Sequence, residues 1–116
     1  MSFLEGLKGR VNRTLFETAV DFQIRTLESQ AKHLNWADKT IPGGISSPLR
    51  EEMERLRQEA LEQEARRQRT LTKVGDHWHQ VSTHSLTRMV VDNLGVLKRV
   101  TRAQRKERRQ IKRDLT

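Results

Sequence analysis

The chain contains no cysteine. Disulfides, iron–sulfur clusters, thiolate zinc sites and cysteine nucleophiles are therefore excluded, and with them a stapled secreted mini-protein. Apolar residues are also scarce. Only 34% of the 116 residues are hydrophobic and 33% are charged, against typical values of roughly 45–50% and about 25%. A compact self-sufficient core is not expected from so little apolar material. Elongated helices, or a core completed by a partner, fit better. No run approaches the ~18 apolar residues of a membrane span. The N-terminal stretch MSFLEGLKGRVNRTLF lacks the uninterrupted apolar core of a secretory signal. It is basic and amphipathic, as mitochondrial presequences are, but Glu5 and Glu17 argue against that reading.

Catalytic patterns are missing as well. Gly43-Gly44 lacks the Lys-Ser/Thr that completes a phosphate loop. Ser82, Thr83, His84 and Ser85 are neighbours in sequence but match no nucleophile pattern. Asp76, His77, His79 and His84 cluster around Trp78, yet His77 and His84 are seven residues apart and His79 leaves their face. Metal ligands on a helix are expected at i,i+3 or i,i+4. No catalytic residue, metal site or cofactor is assigned. A pH-sensitive contact is the most that the histidines suggest.

What is present is charge, unevenly placed. The net charge is +8. Residues 1–47 carry six bases and five acids, residues 48–75 seven and six, and residues 76–116 ten and four. The excess therefore sits in the last third, within Lys98–Arg113, KRVTRAQRKERRQIKR. That run holds nine bases and one acid, Glu107. Its arginines outnumber its lysines six to three, which favours bidentate phosphate contacts over plain solubility. No aromatic residue is interleaved for base stacking, so the pattern suits backbone contact rather than sequence readout.

The rest of the chain reads as helix. Phe16, Val20, Ile24, Leu27, Ala31 and Leu34 are spaced 4, 4, 3, 4 and 3, the seam of a helix that packs on another. Leu4, Leu7, Val11 and Leu15 make a second seam in shifted register. A first helix over 3–36 is expected, with its first dozen residues weakened by Gly6 and Gly9. Pro42-Gly43-Gly44 breaks it. A second helix over 48–73 should open with Ser47 as N-cap and Pro48 at the first helical position. Its pairs Glu51–Arg55 and Glu62–Arg66 have the i,i+4 order of an exposed helix. Gly75 should end it, with Asp76 capping a third helix from His77; a helix continuing through Gly75 is the alternative. Trp78, Val81, Leu86, Met89, Val90, Leu94, Leu97 and Val100 give the third helix an apolar face that fades into the basic run.

The fold class expected is all-α: an elongated helical hairpin, or three long helices, with a helical body over 1–97. A basic C-terminal extension over 98–116 continues the third helix and projects from that body. Lys98, Arg99, Arg102, Arg105, Lys106, Arg108, Arg109, Lys112 and Arg113 are the candidate phosphate contacts. Phe16, Val20, Ile24, Leu27, Trp36 and Trp78 are candidate contacts with partner proteins, although the two tryptophans would close the bundle as core if their helix ends meet. The function expected is that of a non-enzymatic structural subunit of a large ribonucleoprotein, of ribosomal or mitochondrial-ribosomal accessory type. It would be intracellular, with the mitochondrial matrix one setting. The alternatives are a scaffold subunit of a protein or membrane-bound complex, its basic tail peripherally on anionic lipid or acidic protein, and a DNA-binding helical dimer of phage or plasmid type. The last lacks a short helix–turn–recognition-helix unit.

Overall fold

The computed structural model describes residues 2–116, in an all-α fold. Three long helices form: α1 over Phe3–Thr40, α2 over Ser47–Val74 and α3 over Thr83–Asp114, with a 3-10 turn at Trp78–Gln80 before α3. Ser2 caps α1, its hydroxyl accepting from the Glu5 N–H at 3.1 Å. The helix runs four residues beyond the expected end at Trp36. Its last turn closes when the Ile41 N–H donates to the Ala37 carbonyl. Gly43 and Gly44 then take φ of +82° and +78°, a left-handed pair that side chains disfavour. A Cβ on Gly44 would lie 2.6 Å from Asp38 Oδ1. That carboxylate accepts from the Ile45 N–H at 2.9 Å and pairs with Arg50 at 3.3 Å, joining the end of α1 to the start of α2. Ser46, not Ser47, is the N-cap of α2, and Pro48 sits in its first turn. On the helix surface Arg55 bridges Glu52 and Glu59 rather than Glu51.

Gly75, at φ +58°, ends α2 as its spacing suggests. Asp76 does not cap the next helix. The chain first turns Trp78 into the core, 5.1 Å from Phe16 between ring centroids. Only then does Ser82 cap α3, accepting from the Ser85 N–H at 3.2 Å. One buried side chain holds this connection. Asn12 has no solvent exposure. Its Nδ2 donates to the Trp78 and Val81 carbonyls at 2.8 and 2.9 Å, and its Oδ1 accepts from the Thr83 hydroxyl at 2.7 Å.

α1 is the central helix. α2 lies antiparallel to it, tied by Asp21–Arg67 and Asp38–Arg50. α3 lies parallel to it, tied by Asn12–Thr83, Ala19–Asn93, Ser29–Gln104 and His33–Arg108. α2 and α3 pack on α1 far more than on each other. The result is a flat slab of 64 × 23 × 15 Å. Its apolar core is small: Phe16, Val20, Trp78 and Leu86, edged by Leu15, Ile24, Leu71, Val74 and Val81. Elsewhere the helices meet over small residues, including Ala19, Ala31, Ala37 and Ala60.

Three expectations are corrected by this packing. Phe16, Val20 and Trp78 are buried in the chain's own core and are not free for a partner. Trp36 and Trp78 lie at opposite ends of α1, because α3 runs parallel to it and Trp78 precedes α3. The basic run does not project; it lies along the second half of α1, as Ser29–Gln104 and His33–Arg108 show.

Asn12→Ala leaves the Val81 carbonyl without its donor and the Trp78 carbonyl with only the Val81 N–H at 3.1 Å, and should cost about 2 kcal/mol, read as a lower urea midpoint with helix content retained. The Ile45 N–H, then the charge of Arg50, hold the Asp38 carboxyl below the ordinary aspartate range. A depressed folded pKa gives stability that is complete above the unfolded value of about 3.9 and lost as pH falls through the folded one. The melting temperature should therefore decline below about pH 4, and more shallowly in Asp38→Asn.

Candidate nucleic-acid interface

The second half of α3 is seated by a seam that hydrophobicity does not reveal. Leu86, Val90, Asn93, Leu97, Thr101, Gln104, Arg108 and Ile111 are all buried or half-buried. From Leu97 onward their spacing is 4, 3, 4, 3, the repeat of helices packed side by side. The matching line on α1 is Asn12, Ala19, Thr26 and His33, one residue per heptad, none more than 8% exposed. Polar side chains therefore occupy most of the seam at that end. Each makes at least one hydrogen bond, although Gln104 Nε2 and His33 Nε2 are buried without a hydrogen-bond partner. The Thr26 hydroxyl donates to the Phe22 carbonyl at 2.8 Å, and the Ser29 hydroxyl donates to Gln104 Oε1 at 2.8 Å. Arg108 Nε donates to His33 Nδ1 at 3.2 Å, and its guanidinium carbon lies 5.0 Å from the centre of the Trp36 ring. Because Nδ1 accepts, the imidazole proton sits on Nε2, which faces Glu107 Oε2 at 3.4 Å.

Arg108 is thus separated from the other eight bases of the run. It faces α1 and clamps His33 and Trp36. Lys98, Arg99, Arg102, Arg105, Lys106, Arg109, Lys112 and Arg113 are all exposed. At 100° per residue they fall within an arc of about 140°, turned away from the seam, over roughly 22 Å of helix. Among the described residues, none of the eight is in an ion pair. The arginines of the other helices contrast with them. Arg13, Arg50, Arg55, Arg57 and Arg67 each pair with one or two carboxylates. Burial opposes the charge of Arg67, but the carboxylates of Asp21 and Glu64 more than offset it, and its pKa is raised. The outer face of α3 is the stretch where positive charge is concentrated and uncompensated.

The other candidate residues do not join this face. Ile24 and Leu27 are half-buried on α1, Ile24 at the edge of the core. Trp36 is half-buried and stacked on His33, with ring centroids 6.1 Å apart. His79 packs over Gly9, 4.0 Å from Glu5 Oε2, while His77 and His84 are exposed. Among the described residues no three His, Asp or Glu side chains converge as metal ligands, and no helix is long and apolar enough to cross a membrane. No protein family, curated protein or solved structure matches the chain.

Arg108 and Arg109 are adjacent in sequence and opposite in role. Arg108→Ala removes a bond to a buried imidazole and a cation–π contact, and should destabilise the fold by about 1–3 kcal/mol. Arg109→Ala should change stability by no more than about 0.5 kcal/mol. Urea unfolding of the two variants side by side distinguishes them; equal effects would return Arg108 to the exposed face.

Proposed function

We propose that the chain is a non-enzymatic structural subunit of a ribonucleoprotein and binds RNA phosphates along the outer face of α3. The observation that carries this reading is the unpaired ridge of eight bases on a helix already seated against α1. Bases packed this densely repel one another, so a free helix of this composition would fray. Seating through Gln104, Arg108 and Ile111 removes much of that ordering cost before a polyanion arrives. Arg-rich, aromatic-free composition supports contact with the phosphate path rather than with bases. A ribosomal or mitochondrial-ribosomal accessory protein is the concrete form of the proposal. The slab's remaining helix faces would then meet neighbouring proteins.

Removing residues 98–116 is a poor test, because it also strips the covering from His33, Trp36 and Ser29. Charge removal on the outer face is cleaner. Single-stranded RNA binding should weaken with salt at a log–log slope of at most about 5–6 for eight phosphate contacts. Arg102→Ala/Arg105→Ala/Arg109→Ala should lower that slope by about 2 with the melting temperature unchanged. Affinity should be the same for scrambled sequences. Fluorescence anisotropy titrations at several salt concentrations measure all three. Equal binding by the triple variant, or a preference for duplex DNA, would reject the proposal.

A further inference from the structure

The N-terminal end of α1 carries a second surface, far from the basic ridge and independent of the RNA reading. Phe3 is 77% exposed, Leu4 72%, Leu7 43% and Val11 44%. On a helix these four side chains span an arc of about 100°. They lie opposite Gly9, Asn12 and Phe16, the face that meets the 3-10 turn. Among the described residues nothing else covers them. Large apolar residues gathered on one side of an exposed helix end mark a docking surface rather than scattered surface hydrophobics.

The charges beside the stripe select its occupant. Lys8 borders it on one side and Arg10 on the other, each within about 40° of the nearest apolar residue on the wheel. Among the described residues neither base is in an ion pair, whereas the next one, Arg13, pairs with Glu17 at 3.4 Å. The one acid of these turns, Glu5, is turned the other way, toward His79. An apolar stripe bordered by unpaired bases is the pattern of a helix lying in a membrane interface, its apolar side chains among acyl chains and its bases at anionic headgroups. A partner protein's apolar groove would not require the bases.

We infer that residues 3–11 of α1 dock on the surface of an anionic bilayer through Phe3, Leu4, Leu7 and Val11, with Lys8 and Arg10 at the headgroups. The stripe is separated from the centre of the basic ridge by more than 20 residues of α1, roughly 35 Å along its axis. The two surfaces are therefore separable by substitution.

The test is flotation of the full chain with vesicles of phosphatidylcholine alone and of phosphatidylcholine with phosphatidylserine, near physiological salt. The wild type should float with the anionic vesicles and much less with the neutral ones. Leu4→Glu/Leu7→Glu should weaken that partition about tenfold or more while keeping helix content, melting temperature and RNA affinity. Arg105→Glu/Arg109→Glu should float like the wild type. The inference is overturned if the wild type does not float, or if Leu4→Glu/Leu7→Glu floats equally well. It is also overturned if only the α3 variant loses flotation, which would mean adsorption through the basic ridge. A dimer in light scattering that Leu4→Glu/Leu7→Glu dissolves, without vesicle binding, would make a second copy of the chain the occupant.

Discussion

The buried amide of Asn12 is the constraint on which the rest of the architecture depends. A short connection must turn the chain from the end of α2 into a helix that runs parallel to α1. Its Val81 carbonyl has to be satisfied against the body, and its Trp78 carbonyl, which already accepts from the Val81 N–H at 3.1 Å, has a second lone pair to offer. One asparagine meets both and also accepts from Thr83, the first residue of α3. It has no exposure to water, so no solvent molecule can take over its bonds. Once that junction is set, Trp78 enters beside Phe16, and α3 is aimed along α1 with its register fixed. Asn93 on Ala19, Gln104 on Ser29 and Arg108 on His33 repeat the register at intervals along the helix. A polar residue at a seam position lowers the gain from burial but discriminates strongly against slipped pairings.

The same seam explains how a strongly basic helix is held in place by a body with little core. The apolar cluster lies at the Trp78 end, and the basic run lies at the other. There α3 is attached by hydrogen bonds, a cation–π contact and a few half-buried aliphatics, not by a hydrophobic stripe. Charge is divided accordingly. On α1 and α2 most arginines are neutralised by carboxylates one turn away or across the interface. On α3 one arginine is turned inward to clamp His33 and Trp36, and the other bases of the run share the outer face without counter-charge. The protein therefore presents its excess of +8 mainly as a ridge along one line of α3.

Much of the helical content was legible from spacing. The 4, 4, 3, 4, 3 pattern from Phe16 to Leu34, the Pro42-Gly43-Gly44 break and the Gly75 stop all act through local backbone geometry, and all three helices follow them. The boundaries that were missed were decided by contacts between elements. α1 continues to Thr40 because Asp38 is needed at the turn, and α3 starts late because residues 77–82 are used to place Trp78. The candidate site was half legible. The run of bases was evident from composition. The inward turn of Arg108 was not, because a buried polar residue at a seam position looks, in sequence, like one more surface charge.

What the sequence by itself determined is therefore the all-α class, the number of long helices and the segment that carries the positive charge. These follow from periodicity, from glycine and proline, and from residue identity, each a property of a short stretch of chain. Tertiary structure alone decided which seam meets which helix, that α3 runs parallel to α1, that the tryptophans end up apart, and which bases and apolar side chains remain uncovered. The physical reason is distance along the chain. Asn12 is buried by Thr83, 71 residues away, and His33 by Arg108, 75 residues away, and whether a polar group is a surface charge or a structural bond depends on which partner arrives there.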